Sequence, residues 1–153
     1  MPNFEPRDSD FEVRIRESFA RQEMMRVLGA ALVAVRPGEV EIALPFRADL
    51  TQQHGYLHAA AVTAIADSAC GYAALTLMAP GREVLSVEFK VNLLAPAAGE
   101  RFLALGRVVR AGRTLTVCTA EVHAEQGGVI KLVAMMQATL IAAGVPGRRA
   151  AEP

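Results

Sequence analysis

Residues 58–78 of this 153-residue chain read HAAAVTAIADSACGYAALTLM, and they constrain its fold more than any other segment. It is apolar apart from a few small polar residues and carries one carboxylate, Asp67, near its centre. A helix that is apolar all round either crosses a membrane or is buried on every side by other elements. Its alanine content, its central Asp67 and the lack of flanking Lys or Arg clusters favour burial. We therefore predict a long buried helix over residues 58–78, which Ala79-Pro80-Gly81 ends.

After this helix, the sequence alternates apolar and polar residues in the manner of β-strands. Residues 84–94 are predicted to form a strand with one apolar face (Val87, Phe89, Val91, Leu93) and one polar face (Ser86, Glu88, Lys90, Asn92). Three more predicted strands follow, at 101–110, 114–124 and 129–142, with short turns at 111–112 and 126–128. Because short turns join antiparallel neighbours, we expect an antiparallel sheet.

Before the central helix, the sequence predicts one amphipathic helix and one hairpin. Apolar residues recur at helical spacing over 9–28, with Ser9 and Asp10 as candidate caps and Gly29 at the end. Residues 30–35 and 40–46 flank the turn Arg36-Pro37-Gly38 and are predicted to form a β-hairpin.

The expected architecture is an α+β domain in which a curved antiparallel sheet of five to six strands wraps around the long helix. The amphipathic helix is an addition at the N-terminal side. We expect one domain over 9–143, a flexible N-terminus at 1–8 and a disordered tail at 144–153.

The composition excludes several classes of protein. Hydrophobic residues make up 52% and charged residues 21%, which rules out disorder for most of the chain. Sixteen basic and sixteen acidic residues leave a formal net charge of zero, unlike a nucleic-acid binder. The acidic N-terminus has no apolar signal segment, and Cys70 and Cys118 lie in apolar runs as reduced core residues do. We expect a soluble, cytoplasmic protein without membrane or nucleic-acid partners.

No metal or other cofactor is expected. His54 and His58 are four residues apart, but His54 precedes the helix and the acidic residue of a zinc-binding HExxH pattern is missing. His58 by itself is more often a capping or core histidine than a ligand.

Asp67 is the residue that points to chemistry. Burying a carboxylate without a partner costs about 2 kcal/mol or more of folding free energy. Asp67 is therefore either paired, for example with an arginine, or active as a general base or nucleophile. The residue pattern alone leaves both interpretations open.

The N-terminus of the same helix offers a second chemical group. We expect the backbone N–H groups of Ala59 and Ala60 to be unpaired, aimed outward and able to polarise a carbonyl. Asp67 lies eight residues further on, about 12 Å along the helix axis. One chain cannot easily bring both groups to one substrate atom, whereas two chains with antiparallel helices can. This geometry predicts a site shared across a dimer interface.

Three segments together resemble a known family. They are QQHGYLHAAAVTAIADSACGYAA (52–74), SVEFKVNLLAPA (86–97) and VVRAGRTLTVCTAEV (108–122). They are similar to the hotdog-fold acyl-CoA thioesterases, in which H-G-G precedes L-A-D or L-A-E on the central helix. The likeness is greatest to the phenylacetate-pathway (PaaI-like) branch and covers about residues 25–142.

This resemblance implies a hotdog fold, hydrolysis of an acyl- or aryl-CoA to the acid and free CoA, and a role for each of eight residues. Asp67 acts as general base or nucleophile, and the Ala59 N–H polarises the thioester carbonyl from the opposite subunit. The other catalytic candidates are His58, which orders the loop and contacts the thioester, Gln52, which orients substrate or water, and Ser68, which positions water. The candidates for binding CoA are Ala60, Arg113 and Thr114.

The chain departs from the family pattern at Ala59-Ala60, where relatives usually carry two glycines. The backbone N–H survives this change, but the methyl groups narrow the approach of a bulky thioester. A non-catalytic, ligand-sensing module that binds acyl-CoA is therefore the alternative function. For assembly, the resemblance implies a homo-oligomer with shared sites, a dimer or a tetramer of two dimers, and favours the tetramer.

Overall fold

The computed structural model of the chain describes residues 4–144. Its elements are α1 (Phe11–Ala20), α2 (Glu23–Leu28), β1 (Ala31–Arg36), β2 (Glu39–Pro45), α3 (Ala59–Leu75), β3 (Arg82–Leu93), β4 (Arg101–Ala111), β5 (Leu115–Gln126) and β6 (Val129–Gly144). Across residues 4–144, the six strands form one antiparallel sheet in the order β1-β2-β4-β5-β6-β3. The predicted α+β architecture, a sheet around one long helix, is confirmed.

The helix α3 lies against the sheet over most of its length. Ile65, Ala66 and Ala69 have no exposed surface, and α3 contacts strands β2 to β6. Gly106 on β4 permits the closest approach, since a Cβ there would lie 2.7 Å from the Cys70 backbone nitrogen and closer still to the Ala69 carbonyl. Among residues 4–144, no helix has both the length and the apolar character needed to cross a membrane.

The end of α3 is fixed by two long-range contacts, and it lies three residues before the predicted one. The Thr76 hydroxyl donates to the Ala73 carbonyl and accepts from the Gly38 N–H at 2.8 Å, which ties the helix end to the β1–β2 turn. The Arg14 guanidinium donates to the carbonyls of Leu75, Met78 and Ala79 at 2.8–3.0 Å. Leu75 is the last residue of α3 and the other two residues belong to the turn that follows, so Arg14 ties α1 to the end of α3 and to that turn.

The single amphipathic helix predicted over 9–28 is wrong, because the chain forms two helices with Arg21 and Gln22 between them. At 100° per residue, one continuous helix would turn Met25 and Leu28 away from the face that carries Ile15. All three of these side chains are buried. The extended backbone at Gln22 (φ −82°, ψ 98°) redirects the chain so that both helices face the core.

A β-bulge interrupts the alternation predicted for β3. Ser86 is opposite Leu140 and Glu88 is opposite Thr139, so Val87 is an extra residue. The extra residue reverses the face of the sheet to which the side chains before it point. Ser86 therefore lies on the inner face, next to α3. The predicted assignment of Ser86 to the outer face with Glu88 is wrong for this reason.

The strand β3 is an edge of the sheet and pairs only with β6 over the described residues. Large apolar side chains along it are exposed, with Leu85, Val87 and Leu93 each more than half accessible. An exposed apolar edge strand is a site for pairing with another chain unless something covers it.

Residues 4–8, predicted to be a flexible N-terminus, include two side chains that contact the domain. Phe4 packs against the core, and the Asp8 carboxylate lies 3.3 Å from Nε of Arg14. At the other end, Gly144 is the last residue of β6, and the rest of the predicted tail, 145–153, lies outside the described residues.

Candidate active site

Asp67 lies on α3 where the helix passes the start of β3. Its side chain is half-buried, less than the sequence suggests, because β3 is an edge strand and leaves one side open. The Ser86 hydroxyl donates to Oδ1 of Asp67 at 2.7 Å. Over residues 4–144 no arginine or lysine forms an ion pair with Asp67, so the alternative of a structural Asp–Arg pair has no support within one chain.

Asp67 borders a cleft of about 390 Å³ between the α1–α2 link, α3 and the start of β3, which we call the Asp67 cleft. Its polar lining includes Ser18, Gln22, Ser68, Tyr72, Glu83 and Ser86. The predicted residue Ser68 is present, but its hydroxyl donates to Oε1 of Gln22 at 3.2 Å.

Gln22 and Ser86 are site residues that the sequence did not reveal. The helix predicted over 9–28 places Gln22 in its interior, and the alternation predicted for 84–94 places Ser86 on the polar face with Glu88. No spacing in the sequence signals the helix break or the bulge.

The N-terminus of α3 presents one free N–H, not two. Over the described residues the Ala59 N–H has no acceptor, whereas the Ala60 N–H donates to Nδ1 of His58 at 2.9 Å. The expectation that Ala60 also offers an open N–H is wrong, because His58 caps the helix. Nδ1 of His58 accepts this bond and so carries no proton, which places the proton of the neutral imidazole on Nε2.

Ala59 borders a different cleft, of about 500 Å³, which we call the Ala59 cleft. Most of its lining is apolar and includes Leu57, Val62, Leu93, Leu94 and Val133. The predicted residue Gln52 lies here, and its Oε1 accepts from the His54 N–H. Its amide nitrogen is therefore oriented as a donor near Ala59. Within residues 4–144, no residue borders both the Asp67 cleft and the Ala59 cleft.

The other predicted residues lie in two further clefts. His58 and Ala60 line one of about 250 Å³, beside Asp49 and Thr51, and not the Ala59 cleft. Arg113 and Thr114 line a cleft of about 540 Å³ near the C-terminal end of α3, which we call the Arg113 cleft. It contains two more arginines, Arg7 and Arg82.

Comparison with known proteins identifies the family. A family model described as the Thioesterase superfamily matches residues 54–131. This span contains Asp67, Ala59 and both β-strand segments of the resemblance. The chain belongs to the thioesterase superfamily. The predicted family is therefore confirmed, and the enzyme class is thioester hydrolase.

Solved structures agree with membership of the thioesterase superfamily. A thioesterase family protein from Silicibacter pomeroyi is 51% identical, with a TM-score of 0.86 over 88% of this chain and 98% of that one. A conserved protein from Pseudomonas aeruginosa is 30% identical, with a TM-score of 0.73 over 80% and 94% of the two chains. The PaaI protein of Escherichia coli, from the phenylacetic acid degradation operon, shares the fold at 19% identity, with a TM-score of 0.77 over 88% and 94%.

Neither cysteine of this thioesterase can serve as its nucleophile. Both thiols are free and fully buried. Burial raises the pKa of Cys118 to about 12, and burial, together with the neighbouring Cys118 and Asp67, raises the pKa of Cys70 as well. The thiolate is the reactive form of cysteine, and these thiols do not ionise readily, so both cysteines are core residues. The base or nucleophile of the reaction must therefore be an oxygen group.

Proposed function

We propose that this thioesterase hydrolyses acyl-CoA to a carboxylic acid and free CoA, with Asp67 as the residue that acts on the thioester. The observation that carries the proposal is the pair of Asp67 and Ser86 at the edge of an open cleft. The Ser86 hydroxyl fixes Oδ1 and leaves Oδ2 without a partner among residues 4–144. A carboxylate held in this way is oriented for proton transfer.

In the proposed reaction, Asp67 takes a proton from water as the water oxygen attacks the thioester carbon. The carbonyl oxygen gains negative charge and accepts a hydrogen bond from the Ala59 N–H at the positive end of α3. The C–S bond then breaks, and the CoA thiolate receives the proton from Asp67. Direct attack by Asp67 would form an anhydride instead, and a single turnover in ¹⁸O water separates the two routes by the label in the acid.

The position of β3 supports a site shared by two copies. Its first half, Glu83–Ser86, lines the Asp67 cleft, and its last residue, Leu93, lines the Ala59 cleft. Antiparallel pairing of two β3 edges about a two-fold axis at Lys90 sets residue 88 of one copy opposite residue 92 of the other, and it brings the bulge at residues 86–87 of one copy beside residue 93 of the other. The Asp67 cleft of each copy then faces the Ala59 cleft of the second. This dimer also buries the exposed side chains of β3.

Mixed dimers test the shared site. Asp67→Asn removes the base, and Ala59→Pro removes the carbonyl donor, so each variant alone should be inactive. A heterodimer of the two variants keeps one intact site of two, because Asp67 and Ala59 come from different copies. Random mixing by co-refolding should restore about a quarter of wild-type activity. No recovery despite verified heterodimers would contradict the shared site.

The oligomer is proposed to be this dimer or, as the resemblance favours, a tetramer of two such dimers. Light scattering at micromolar concentration measures the state, and a monomer would contradict both. The buried free thiols support the proposed cytoplasmic location.

The Arg113 cleft supports CoA as the leaving group. Arg7, Arg82 and Arg113 give it three guanidinium groups, and Thr114 adds a hydroxyl. Guanidinium groups bind phosphate through paired hydrogen bonds. We therefore assign this cleft to the phosphates of CoA.

Release of free thiol from a panel of aryl- and fatty-acyl-CoAs tests the function. Asp67→Asn should lose turnover and keep its fold and assembly, because the change is nearly isosteric. Asp10→Asn, on the exposed start of α1, is the matched control and should keep wild-type rates. Wild-type rates in Asp67→Asn would refute the mechanism, whereas binding of acyl-CoA without thiol release by the wild type would favour the ligand-sensing module.

A further inference from the structure

Gln22 has an unusual position for its residue type. It is the N-cap residue of α2, yet its side chain makes no capping hydrogen bond, and glutamine is not a favoured cap. The half-buried carboxamide instead reaches α3, where the Ser68 hydroxyl donates to its Oε1 at 3.2 Å. The side chain therefore lines the Asp67 cleft and bonds α3, and it does not cap α2.

The bond from Ser68 determines which end of the carboxamide is available. A hydroxyl has one proton, and donation to Oε1 leaves Nε2 of Gln22 as the free end, with two N–H donors. Among residues 4–144, Nε2 has no acceptor. The hydroxyls of the cleft are engaged, since Ser86 donates to Asp67 and the hydroxyl oxygens of Ser18 and Tyr72 are hydrogen-bonded at 3.4 Å, whereas the side chains of Arg21 and Glu83 line the cleft as charged groups. Gln22 thus offers the cleft a neutral, oriented donor.

The Asp67 cleft and the Arg113 cleft follow one another along the same groove. On α3, the lining of the Asp67 cleft extends to Leu75 and that of the Arg113 cleft begins at Ala74. On β3, Glu83 lines the Asp67 cleft and the adjacent Arg82 lines the Arg113 cleft. From Asp67 to Leu75, the last residue of α3, the groove runs about 12 Å along the helix axis, and it continues beyond the helix end to Met78. Its lining begins at the Asp67 carboxylate, includes the neutral polar groups of Gln22 and Tyr72 beside the charged Arg21 and Glu83, and ends at the arginines of the Arg113 cleft.

An acyl-CoA runs from the thioester through the neutral amides of pantetheine to the phosphates, and the groove offers the Asp67 carboxylate and the Gln22 carboxamide at one end and arginines at the other. We propose that Gln22 binds the pantetheine arm, with Nε2–H donating to the carbonyl oxygen of the amide nearest the sulfur. This inference rests on the proposed function. It makes Gln22 a binding residue for the CoA side of the substrate and leaves the apolar Ala59 cleft for the acyl side.

Three thioesters of one acyl group test the contact. They are the CoA ester, the N-acetylcysteamine ester, which keeps the nearest amide, and the propanethiol ester, which has no amide. Gln22→Ala should raise KM about 2- to 10-fold for the first two with kcat unchanged, and should leave kcat/KM for the third unchanged. Gln126→Ala, on an exposed hairpin outside the groove, is the control and should alter none of them.

Gln22→Glu distinguishes loss of the Nε2–H donor from loss of the structural bond between residue 22 and Ser68. It keeps an oxygen for Ser68 to bond but has no N–H, so it should show the same selective loss for the two amide-containing substrates. Equal loss on all three substrates, or wild-type behaviour of Gln22→Glu, would overturn the proposal in favour of a structural link between Gln22 and α3. If the wild type hydrolyses none of the three, the proposed function itself fails, and that result differs from a variant-specific one.

Discussion

Ala59→Pro removes one hydrogen-bond donor and little else. Proline has no N–H, and the Ala59 N–H has no acceptor among the described residues, so no internal hydrogen bond is lost. Ala59 is the first residue of α3, the position where proline fits a helix best. The preceding His58 has φ −62° and ψ 140°, the extended conformation that a residue before proline requires. The substitution therefore tests the donor and leaves the helix intact.

The expected effects follow from these contacts. Stability should change by less than about 1 kcal/mol, because no internal hydrogen bond is lost and proline suits the position. Loss of one oxyanion donor lowers kcat by about 10²–10³, which corresponds to roughly 2.7–4 kcal/mol in the transition state. KM should change less than kcat, since the donor acts mainly on charge that develops during the reaction.

The assay is kcat for thiol release from the best acyl-CoA, measured with thermal unfolding and light scattering on the same samples. Ala59→Gly is the matched control because it keeps the N–H and changes the same side chain. It should retain wild-type kcat or exceed it. A folded, correctly assembled Ala59→Pro enzyme with near-wild-type kcat would refute the role of the helix N-terminus.

Three further substitutions test the packing of α3 and the orientation of Asp67. Gly106→Ala should destabilise the protein by about 3 kcal/mol or more, because its Cβ would strike the Ala69–Cys70 backbone. Gly71→Ala should instead stabilise α3 by up to about 1 kcal/mol, since its Cβ meets only Val84 at 3.9 Å. Thermal unfolding at equal concentration measures both, and midpoints that move in the same direction would contradict the packing argument. Ser86→Ala should lower kcat tenfold or more with the unfolding midpoint little changed, because it removes a hydrogen bond to a charged carboxylate; an unchanged kcat would exclude Ser86 from the site.

The sequence was sufficient where one periodicity governs a whole element. The apolar character of α3 predicts its burial, and alternation predicts β4, β5 and β6 with their antiparallel order. Local interruptions were not predictable, because each is imposed by contacts distant in sequence. The break at Gln22 arises because Ile15 and Met25 must both reach the core, and the extra residue at Val87 has no signature among its neighbours.

Both interruptions lie at the Asp67 cleft. The helix break directs Gln22 to Ser68, and the bulge directs Ser86 to Asp67. Bulges commonly re-aim a side chain next to a functional site. The residues that regular patterns predicted, Asp67 and Ala59, supply a carboxylate and a backbone N–H, whereas the irregular positions supply side chains that bond Asp67 and its neighbour Ser68.

The replacement of the family's two glycines by Ala59 and Ala60 has different consequences at the two positions. At residue 60 the N–H is already used by His58, so this position offers the substrate no donor, whichever small residue it carries. At residue 59 the donor belongs to the backbone and remains with alanine, while the methyl group takes space in the Ala59 cleft. Under the proposed function, the substitution therefore affects which acyl groups enter and not whether the carbonyl can be polarised. Catalysis by Asp67 and a narrowed acyl entrance are compatible in one enzyme, and this favours the thioesterase over the ligand-sensing module.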